Sequence, residues 1–484
     1  MPSFAITTFG CQMNVHDSER MRDVLVRAGF EEADEARAGA ADVLVLNTCS
    51  VREKAEQKLR SEVGRLAKRK RRDNPAQIVV VAGCVAQQEG ERLLKELAGI
   101  DLVVGPDNIV ELPRLLEDLA LGGPPAVRTE FDVAAPSFLT ASPAAERPPT
   151  AFVTVMKGCD ERCSFCVVPT TRGPERYRPS GEVVAEIDAL VASGAREVTL
   201  LGQTVNSYRD PSRALAPAPD ADANDPDESE FAALLRAIAA RVPRLARLRY
   251  TSPHPRHLVP SLVRAHAELD VLARHVHLPV QSGSDRVLRR MIRRYARAEY
   301  VARVARLRAA VPGVTVSTDV IVGFPGETDA DFEATLSLVD EIGFVGLFGF
   351  KYSPRPTTPA LRLGDDVPEA VKSERLARLF ARSEALVAAH LAALVGTAQR
   401  VLVEGEDKQR RALWSGRTAR NEIVHVRGAD ALELRGALVD VDVVAANKHS
   451  LVGELRPEAR GAFSPRAPAP RERRALPLVA AEGG

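Results

Sequence analysis

Residues 152–169 read FVTVMKGCDERCSFCVVP. The segment begins as an apolar strand, 152–157, and continues into a loop that carries Cys159, Cys163 and Cys166. This spacing lets one loop bind three corners of a [4Fe-4S] cube. A tetrahedral zinc site needs a fourth cysteine or histidine close by, and none follows. The sequence therefore predicts a cluster whose fourth iron is open to the amino and carboxylate groups of a small molecule.

Further strand segments alternate with helical patterns after this loop. The predicted strands are 152–157, 197–201, 247–251, 275–279, 314–322 and 345–350. Six βα units predict an open, partial TIM-type barrel with its site at the C-terminal ends of the strands. The cysteine loop follows the first strand, as that arrangement requires. A turn with Gly323, Pro325 and Gly326 follows the fifth strand, where backbone can approach a ligand closely.

Three more cysteines each follow a predicted strand near the start of the chain. Cys11 follows 4–9, Cys49 follows 42–48, and Cys84 follows 77–83. A fourth strand at 101–105 and the helical patterns between them predict a doubly wound parallel sheet. Ligands bind beyond the carboxyl ends of such strands, so we expect the three thiols to converge and to hold a second cluster. The alternative is that they are three small buried hydrophobic side chains.

Composition and charge restrict the class of protein. The chain has 484 residues, enough for about three domains, and no run of ~18 apolar residues that would predict a transmembrane helix. The first residues do not resemble a secretory signal, so the cytoplasm is expected. The net charge is +1, but it is +7 without the six carboxylates between 220 and 230. Basic runs at 65–72 and 286–308 permit nucleic-acid binding, although a solvated helix face explains each run equally well.

The pattern changes again beyond the barrel. Residues 366–395 predict a long helix, and short strands after Gly396 predict a small all-β barrel. Trp414 is a candidate to stack on a base, although a single tryptophan is more often part of a core. The candidates to contact RNA phosphates are Arg411, Arg417, Arg420 and Lys448.

These changes of pattern divide the chain. The expected segments are an N-terminal doubly wound domain at 3–122, a linker at 123–145, a barrel domain at 146–385, a small all-β domain at 393–457 and a tail at 458–484. Within the barrel domain, the acidic, proline-rich stretch 209–230 predicts a flexible surface insertion. The composition of the tail predicts disorder.

The CxxxCxxC spacing resembles the signature of the radical S-adenosylmethionine (SAM) superfamily. More narrowly, the chain resembles the bacterial methylthiotransferases. The resembling stretches are TFGCQMNVHDSE, LNTCSVREKAEQK, VAGCVAQQEG, KGCDERCSFCVVPTTRGPE, LLGQTVNSY, HLPVQSGSDRVL, STDVIVGFPGET and FKYSPRPTTPA. NTCSVREKAEQK and GCVAQQEG are similar to the branch that modifies isopentenylated adenosine in tRNA. The C-terminal segment SGRTARNEIVHV resembles a TRAM domain, an RNA-binding module.

The resemblance implies roles for individual residues. The cysteines at 159, 163 and 166 would bind the SAM cluster, and those at 11, 49 and 84 an auxiliary cluster. The residues that would line SAM or the active site beside it are Phe165, Gln203, Asn206, Val320, Gly323, Pro325 and Gly326. Thr204 stands where the family usually has asparagine and Thr170 where tyrosine is common, which concerns substrate contacts and not the clusters. No acid–base side chain is assigned.

The implied reaction transfers a methylthio group to C2 of N6-isopentenyladenosine at position 37 of tRNA, with two [4Fe-4S] clusters and SAM as cofactors. One alternative keeps the chemistry but acts on threonylcarbamoyl adenosine or a ribosomal-protein aspartate. The other is a non-catalytic iron–sulfur protein that binds RNA or carries electrons. Expected partners are the tRNA anticodon stem-loop, an external one-electron reductant and a sulfur source. No membrane association is expected, and the protein is expected to be a monomer.

Overall fold

The computed structural model describes residues 1–34, 37–50, 53–134, 136–140, 148–215, 229–407, 413–429, 432–460 and 463–464. The central part of the acidic insertion, most of the tail and part of the linker lie outside these residues. The chain forms two compact units, Met1–His390 with Ala419–Asn421, and Leu391–Thr418 with Glu422–Gly484. No helix in the described ranges has the length and apolar character needed to cross a bilayer.

The N-terminal part of the first unit is a parallel sheet of six strands. In chain order they are β1 Ser3–Phe9, β2 Glu31–Glu32, β3 Val43–Thr48, β4 Ile78–Gly83, β5 Leu102–Val104 and β6 Ala126–Arg128. The order across the sheet is β2-β1-β3-β4-β5-β6, so the strand order reverses at β1 and β3. Ligand sites in such sheets lie at this reversal, beyond the strand carboxyl ends.

Helices cover both faces of this sheet. They are α1 Gln12–Arg27, α2 Glu53–Asp73, α3 Cys84–Glu89, α4 Glu91–Glu96 and α5 Leu112–Ala120. Met21 of α1 and Leu112 of α5 pack on one face, whereas Leu59 of α2 and Leu93 of α4 pack on the other. The predicted doubly wound architecture is therefore confirmed. The helical segment after β4 is divided into α3 and α4 at Gly90, whose φ is +48°.

The rest of the first unit is an incomplete barrel. Its strands are β7 Thr150–Thr154, β8 Met156–Lys157, β9 Arg176–Tyr177, β10 Glu197–Leu201, β11 Arg247–Tyr250, β12 His275–His277, β13 Thr315–Val322 and β14 Gly346–Lys351. The six main strands form two parallel sheets, β11-β10-β7 and β12-β13-β14. The Leu248 N–H donates to the Val271 carbonyl and the Ala273 N–H donates to the Leu248 carbonyl, which joins β11 to the segment before β12. Among the described pairings, β7 and β14 remain edge strands, so the ring is open between them.

Helices surround this open barrel. They are α6 Val168–Thr171, α7 Ser180–Ala192, α8 Glu230–Arg241, α9 Pro260–Glu268, α10 Asp285–Arg290, α11 Arg297–Ala310, α12 Asp329–Ile342 and α13 Glu369–Ala392. One core runs between strands and helices, with Val198, Phe231, Val316 and Leu338 among its fully buried members. The strand expected at 152–157 is interrupted after Thr154, and the chain continues through β8 into the cysteine loop.

The second unit is a closed barrel of five strands. They are β15 Ala398–Glu406, β16 Trp414–Thr418, β17 Ile423–Arg427, β18 Leu438–Ala446 and β19 Leu451–Leu455, and α14 Pro457–Arg460 follows. The order around the barrel is β15-β16-β17-β19-β18. The Trp414 ring is 1% exposed and its Nε1 donates to the Leu432 carbonyl at 3.2 Å. Its role is in the core, and the suggestion that it stacks on a base is wrong.

Candidate active site

The first cysteine triad lies at the carboxyl edge of the N-terminal sheet. Cys11 precedes α1, Cys49 follows β3, and Cys84 is the first residue of α3 after β4. A hydrogen bond from the Cys49 thiol lowers the pKa of Cys11 to about 6, against the opposing effect of burial. Burial raises the pKa of the Cys84 thiol. The sheet therefore brings together three thiols that are 35 or more residues apart in the sequence.

Two buried asparagines hold the loops of this triad. The Asn14 side chain accepts the Cys11 N–H at 3.3 Å and donates to Asn47 Oδ1 at 3.2 Å. Asn47 in turn donates to the Asn14 carbonyl at 2.8 Å and to Ser18 Oγ at 2.9 Å. Both side chains are 0% exposed. Because buried amides are costly unless they are paired, this network fixes the position of Cys11 relative to the end of β3.

The second triad lies on the loop after β8. Cys159 Sγ is 2.9 Å from Thr204 Oγ1, and Cys166 Sγ accepts the Val168 N–H at 3.4 Å. Burial raises the pKa of Cys159 to about 11, and burial together with the neighbouring Cys163 raises that of Cys166 to about 12. These thiols keep their protons until a metal displaces them, so metal binding to this loop is expected to release protons.

The spacing of the sulfurs tests which metal group the triads fit. Side chains that can bind a metal are those of histidine, cysteine, aspartate and glutamate. Among the described residues, only one group of three such side chains has its ligand atoms all within 4.8 Å of one another, namely Glu161, His254 and His257. In each triad at least one pair of sulfurs therefore lies farther apart than 4.8 Å. A tetrahedral zinc ion with Zn–S bonds of about 2.3 Å would hold its sulfurs roughly 3.8 Å apart. Neither triad therefore has its three sulfurs at the spacing that a single zinc ion would need.

The turn into the second triad depends on Gly158. Its φ is +79°, and a Cβ atom would lie 1.9 Å from the Pro174 carbonyl oxygen. We expect Gly158→Ala to destabilise the protein by about 3 kcal/mol or more and to lower its iron content. Thermal unfolding and iron analysis of the reconstituted protein measure both effects. The control is Gly181→Ala at an exposed position in the first turn of α7, where a Cβ meets no atom within 4 Å and stability should be retained. Equal stability of the two variants would contradict this account.

Gln203 and Asn206 support the loops around the second triad. Gln203 Oε1 accepts the Gly158 N–H at 2.5 Å, and its buried Nε2 has no hydrogen-bond partner among the described residues. Asn206 donates to the His254 carbonyl at 3.0 Å and accepts the His254 N–H at 2.8 Å. The predicted contacts of Gln203 with SAM and of Asn206 with substrate stay predictions.

Histidine residues lie near the second triad and inside the barrel. Glu161 Oε1 is 2.8 Å from Arg256 Nη2 and 3.0 Å from His257 Nε2. The guanidinium of Arg256 already balances the charge of the Glu161 carboxylate. We therefore infer that these side chains stabilise the conformation of the cysteine loop and do not bind a metal. On β12, His277 Nε2 is 3.3 Å from Asp319 Oδ1.

The turn after β13 and Phe165 form the apolar side of this site. Phe165 packs against a buried cluster that includes Met291, Phe324 and Tyr352. Val320 is 0% exposed and lies in the barrel core, so its predicted contact with SAM stays a prediction. The Glu327 carboxylate accepts the Gly323 N–H, and burial raises the pKa of Glu327 to about 7. Gly323, Pro325 and Gly326 lie at this turn, as the sequence predicts.

Two arginines beside the triads were missed by sequence reasoning. Arg172 Nε donates to Cys84 Sγ at 3.2 Å, and Arg293 Nη1 donates to Cys163 Sγ at 3.3 Å. Each is 5% exposed. The only signal in the sequence is that Arg172 stands in TTRGPE and Arg293 in MIRRY, both in loops without an apolar pattern.

The predicted RNA-binding residues belong to the C-terminal part of the chain. Arg411 lies outside the described residues. Arg417 Nε is 3.2 Å from Glu404 Oε1, Arg420 is half-buried and Lys448 is exposed. Their contacts with phosphates stay predictions.

Three sequence profiles match the chain. The profile described as "Uncharacterized protein family UPF0004" matches residues 3–105, the "Radical SAM superfamily" profile matches residues 153–339, and the "TRAM domain" profile matches residues 392–455. The central match implies a [4Fe-4S] cluster and SAM as cofactors. Among solved structures, the radical SAM methyltransferase TsrM from Kitasatospora setae is similar in fold, with a TM-score of 0.52 at 16% identity over 74% of this chain and 77% of that chain.

Two curated relatives extend along nearly the whole chain. The tRNA-2-methylthio-N(6)-dimethylallyladenosine synthase of Sorangium cellulosum (strain So ce56) is 71% identical over 505 aligned positions, covering 100% of both chains. The protein of the same name from Acidithiobacillus ferrooxidans (strain ATCC 53993 / BNL-5-31) is 46% identical over 94% of this chain and 97% of its own. The chain therefore belongs to the radical SAM family of tRNA-2-methylthio-N(6)-dimethylallyladenosine synthases.

Proposed function

We propose that this enzyme transfers a methylthio group to C2 of N6-isopentenyladenosine at position 37 of tRNA, giving 2-methylthio-N6-isopentenyladenosine. The observation that carries the proposal is the 71% identity, over the full length, to a relative with that name. Two cysteine triads that follow strand ends support it, because each offers three thiols and would leave a fourth iron without a protein ligand.

The proposal assigns one cluster to each triad. Cys159, Cys163 and Cys166 would hold the cluster that binds SAM, and Cys11, Cys49 and Cys84 would hold an auxiliary cluster. When bound, the first cluster and one SAM would supply the radical chemistry that removes the C2 hydrogen, the auxiliary cluster would offer sulfur at its open iron, and a second SAM would supply the methyl group.

The chain's own residues provide position and a dry environment. The apolar cluster around Phe165, with Met291 and Phe324, excludes water from one side of the second triad. Gln203 holds the backbone of Gly158 and so fixes the start of the cysteine loop. No side chain needs to act as a general acid or base, because the hydrogen at C2 is not removed as a proton.

The remaining partners belong to the same proposal. An unpaired anticodon-loop base can be turned out of its stack, which makes position 37 accessible to a recessed site. The C-terminal part of the chain would contact RNA phosphates through the basic residues named above. An external one-electron reductant and a sulfur source complete the reaction. We also expect the protein to be monomeric and cytoplasmic.

Purified, anaerobically reconstituted protein tests the proposal on isopentenylated and unmodified tRNA. We expect a methylthio nucleoside, measured by mass spectrometry after digestion, only with the isopentenylated substrate. Threonylcarbamoylated tRNA and a ribosomal protein with a candidate aspartate serve as matched alternative substrates. A product on either of these, and none on isopentenylated tRNA, would reject the proposed substrate. Absence of SAM cleavage under dithionite would favour a non-catalytic iron–sulfur protein.

A further inference from the structure

Each cysteine triad has one buried arginine that donates a hydrogen bond to one of its sulfurs. We propose that Arg172 and Arg293 are positioning residues. Each arginine contacts one triad and sets the reduction potential of the cluster that this triad holds. The inference rests on the proposed function, because it takes one cluster per triad from that assignment. It goes further because it assigns to each cluster an arginine that sets the reduction potential of that cluster.

Arg172 reaches the first triad from the barrel domain. It follows α6, six residues after Cys166 in the sequence. Its Nε donates to Cys84 Sγ at 3.2 Å, and its Nη2 donates to Asp17 Oδ2 at 2.5 Å. Asp17 is itself 6% exposed, and the arginine charge overcomes the effect of burial and holds its pKa at about 2. The ion pair therefore fixes the guanidinium against Cys84.

Arg293 is held just as firmly at the second triad. Its Nη1 donates to Cys163 Sγ at 3.3 Å, its Nη2 to the Pro279 carbonyl at 2.8 Å and its Nε to Tyr295 Oη at 3.1 Å. The neighbours on either side, Ile292 and Arg294, both have φ of +57°. A β-branched residue in this region is an outlier, and such strain persists where the surrounding structure demands it. Here the strained backbone aims Arg293 inward at Cys163.

Electrostatics gives the direction of the effect. Reduction adds negative charge to an iron–sulfur cluster, and hydrogen bonds to its sulfurs and nearby positive charge favour the reduced state. An arginine stays charged in proteins, and burial lowers the dielectric screening of its charge. Each arginine is therefore expected to raise the potential of its own cluster, and its removal to lower it.

The test is to measure both midpoint potentials by electron paramagnetic resonance in reconstituted full-length variants. The signal that changes when SAM is added identifies the SAM cluster. We expect Arg172→Met combined with Asp17→Asn, which leaves no unpaired carboxylate, to lower only the auxiliary potential. Arg293→Met should lower only the SAM-cluster potential, and each Arg→Lys variant should fall in between. Asp17→Asn alone removes an anion and keeps the arginine, so it should raise the auxiliary potential.

Arg178→Lys is the matched control. Arg178 is 1% exposed and its guanidinium contacts the carboxylates of Glu182 and Glu186, so its replacement should move neither potential. Potentials that stay unchanged in the Arg172 and Arg293 variants, or that shift together, would overturn the inference and leave the arginines a purely structural role. If a methionine variant loses iron, the midpoint potentials of the Asp17→Asn and Arg293→Lys variants serve as the test. The expected shift in these potentials supports the inference, and unchanged potentials overturn it. A wild-type protein with one cluster would instead reject the two-cluster assignment, and the Arg172 part with it.

Discussion

Alanine at Cys159, Cys163 and Cys166 together is expected to abolish SAM cleavage and to lower the iron content from about eight to about four per chain. The physical reason is that this loop, in the proposed assignment, would offer SAM an iron without a protein ligand. The measurements are iron and sulfide analysis of the reconstituted protein and the yield of 5′-deoxyadenosine under dithionite.

A control within the same loop separates loss of ligands from loss of the loop. Ser164 is 2% exposed, and its Oγ donates to the Arg290 carbonyl at 2.8 Å. Ser164→Ala removes that one hydrogen bond, worth about 1 kcal/mol, and should keep about eight irons and SAM cleavage. A triple alanine variant that retains its iron, or that still cleaves SAM, would show that the second triad is not the SAM site.

Replacing Cys11, Cys49 and Cys84 by alanine gives the complementary result. We expect the same loss, from about eight irons to about four, but continued SAM cleavage and no methylthio product on isopentenylated tRNA. The thiols of this triad lie on the N-terminal sheet, whereas the loop that would bind SAM belongs to the barrel, so the two activities separate. Iron analysis, 5′-deoxyadenosine and the modified nucleoside are measured on one preparation.

The two triple variants control each other, because each removes three thiols and one expected cluster. Methylthio product from the variant without Cys11, Cys49 and Cys84 would exclude the auxiliary cluster as the source of sulfur. An unchanged iron content in the same variant would instead support the alternative that these residues are three small hydrophobic side chains.

Strand periodicity predicted the placement of the cysteines. Cys11, Cys49 and Cys84 each follow an apolar strand, and parallel pairing places the ends of β1, β3 and β4 at one edge. The open barrel and the small all-β unit followed from the same kind of pattern, and the predicted fold class is confirmed in all three parts. Local patterns sufficed because each of these features depends on a strand and the residue after it.

Such patterns could not predict hydrogen bonds and ion pairs between side chains that are far apart in the sequence. Arg172 and Asp17 are 155 residues apart, and nothing near either one indicates an ion pair. The burial of Trp414 and the use of both Asn206 amide atoms on the His254 backbone depend on tertiary packing. Sequence patterns identify which residue types occupy a strand end, but the partner of a polar side chain is known only once the chain is folded.

The gap between β7 and β14 bears on how a long polymer reaches the interior. A complete ring of strands admits only what fits through its mouth, so an internal nucleotide would have to be drawn in from one end. A ring with one side missing can be entered laterally, and the nucleotides on either side of the one that enters can stay outside. We therefore expect a nucleotide in the middle of a folded RNA to approach from this side, without a free terminus and without threading.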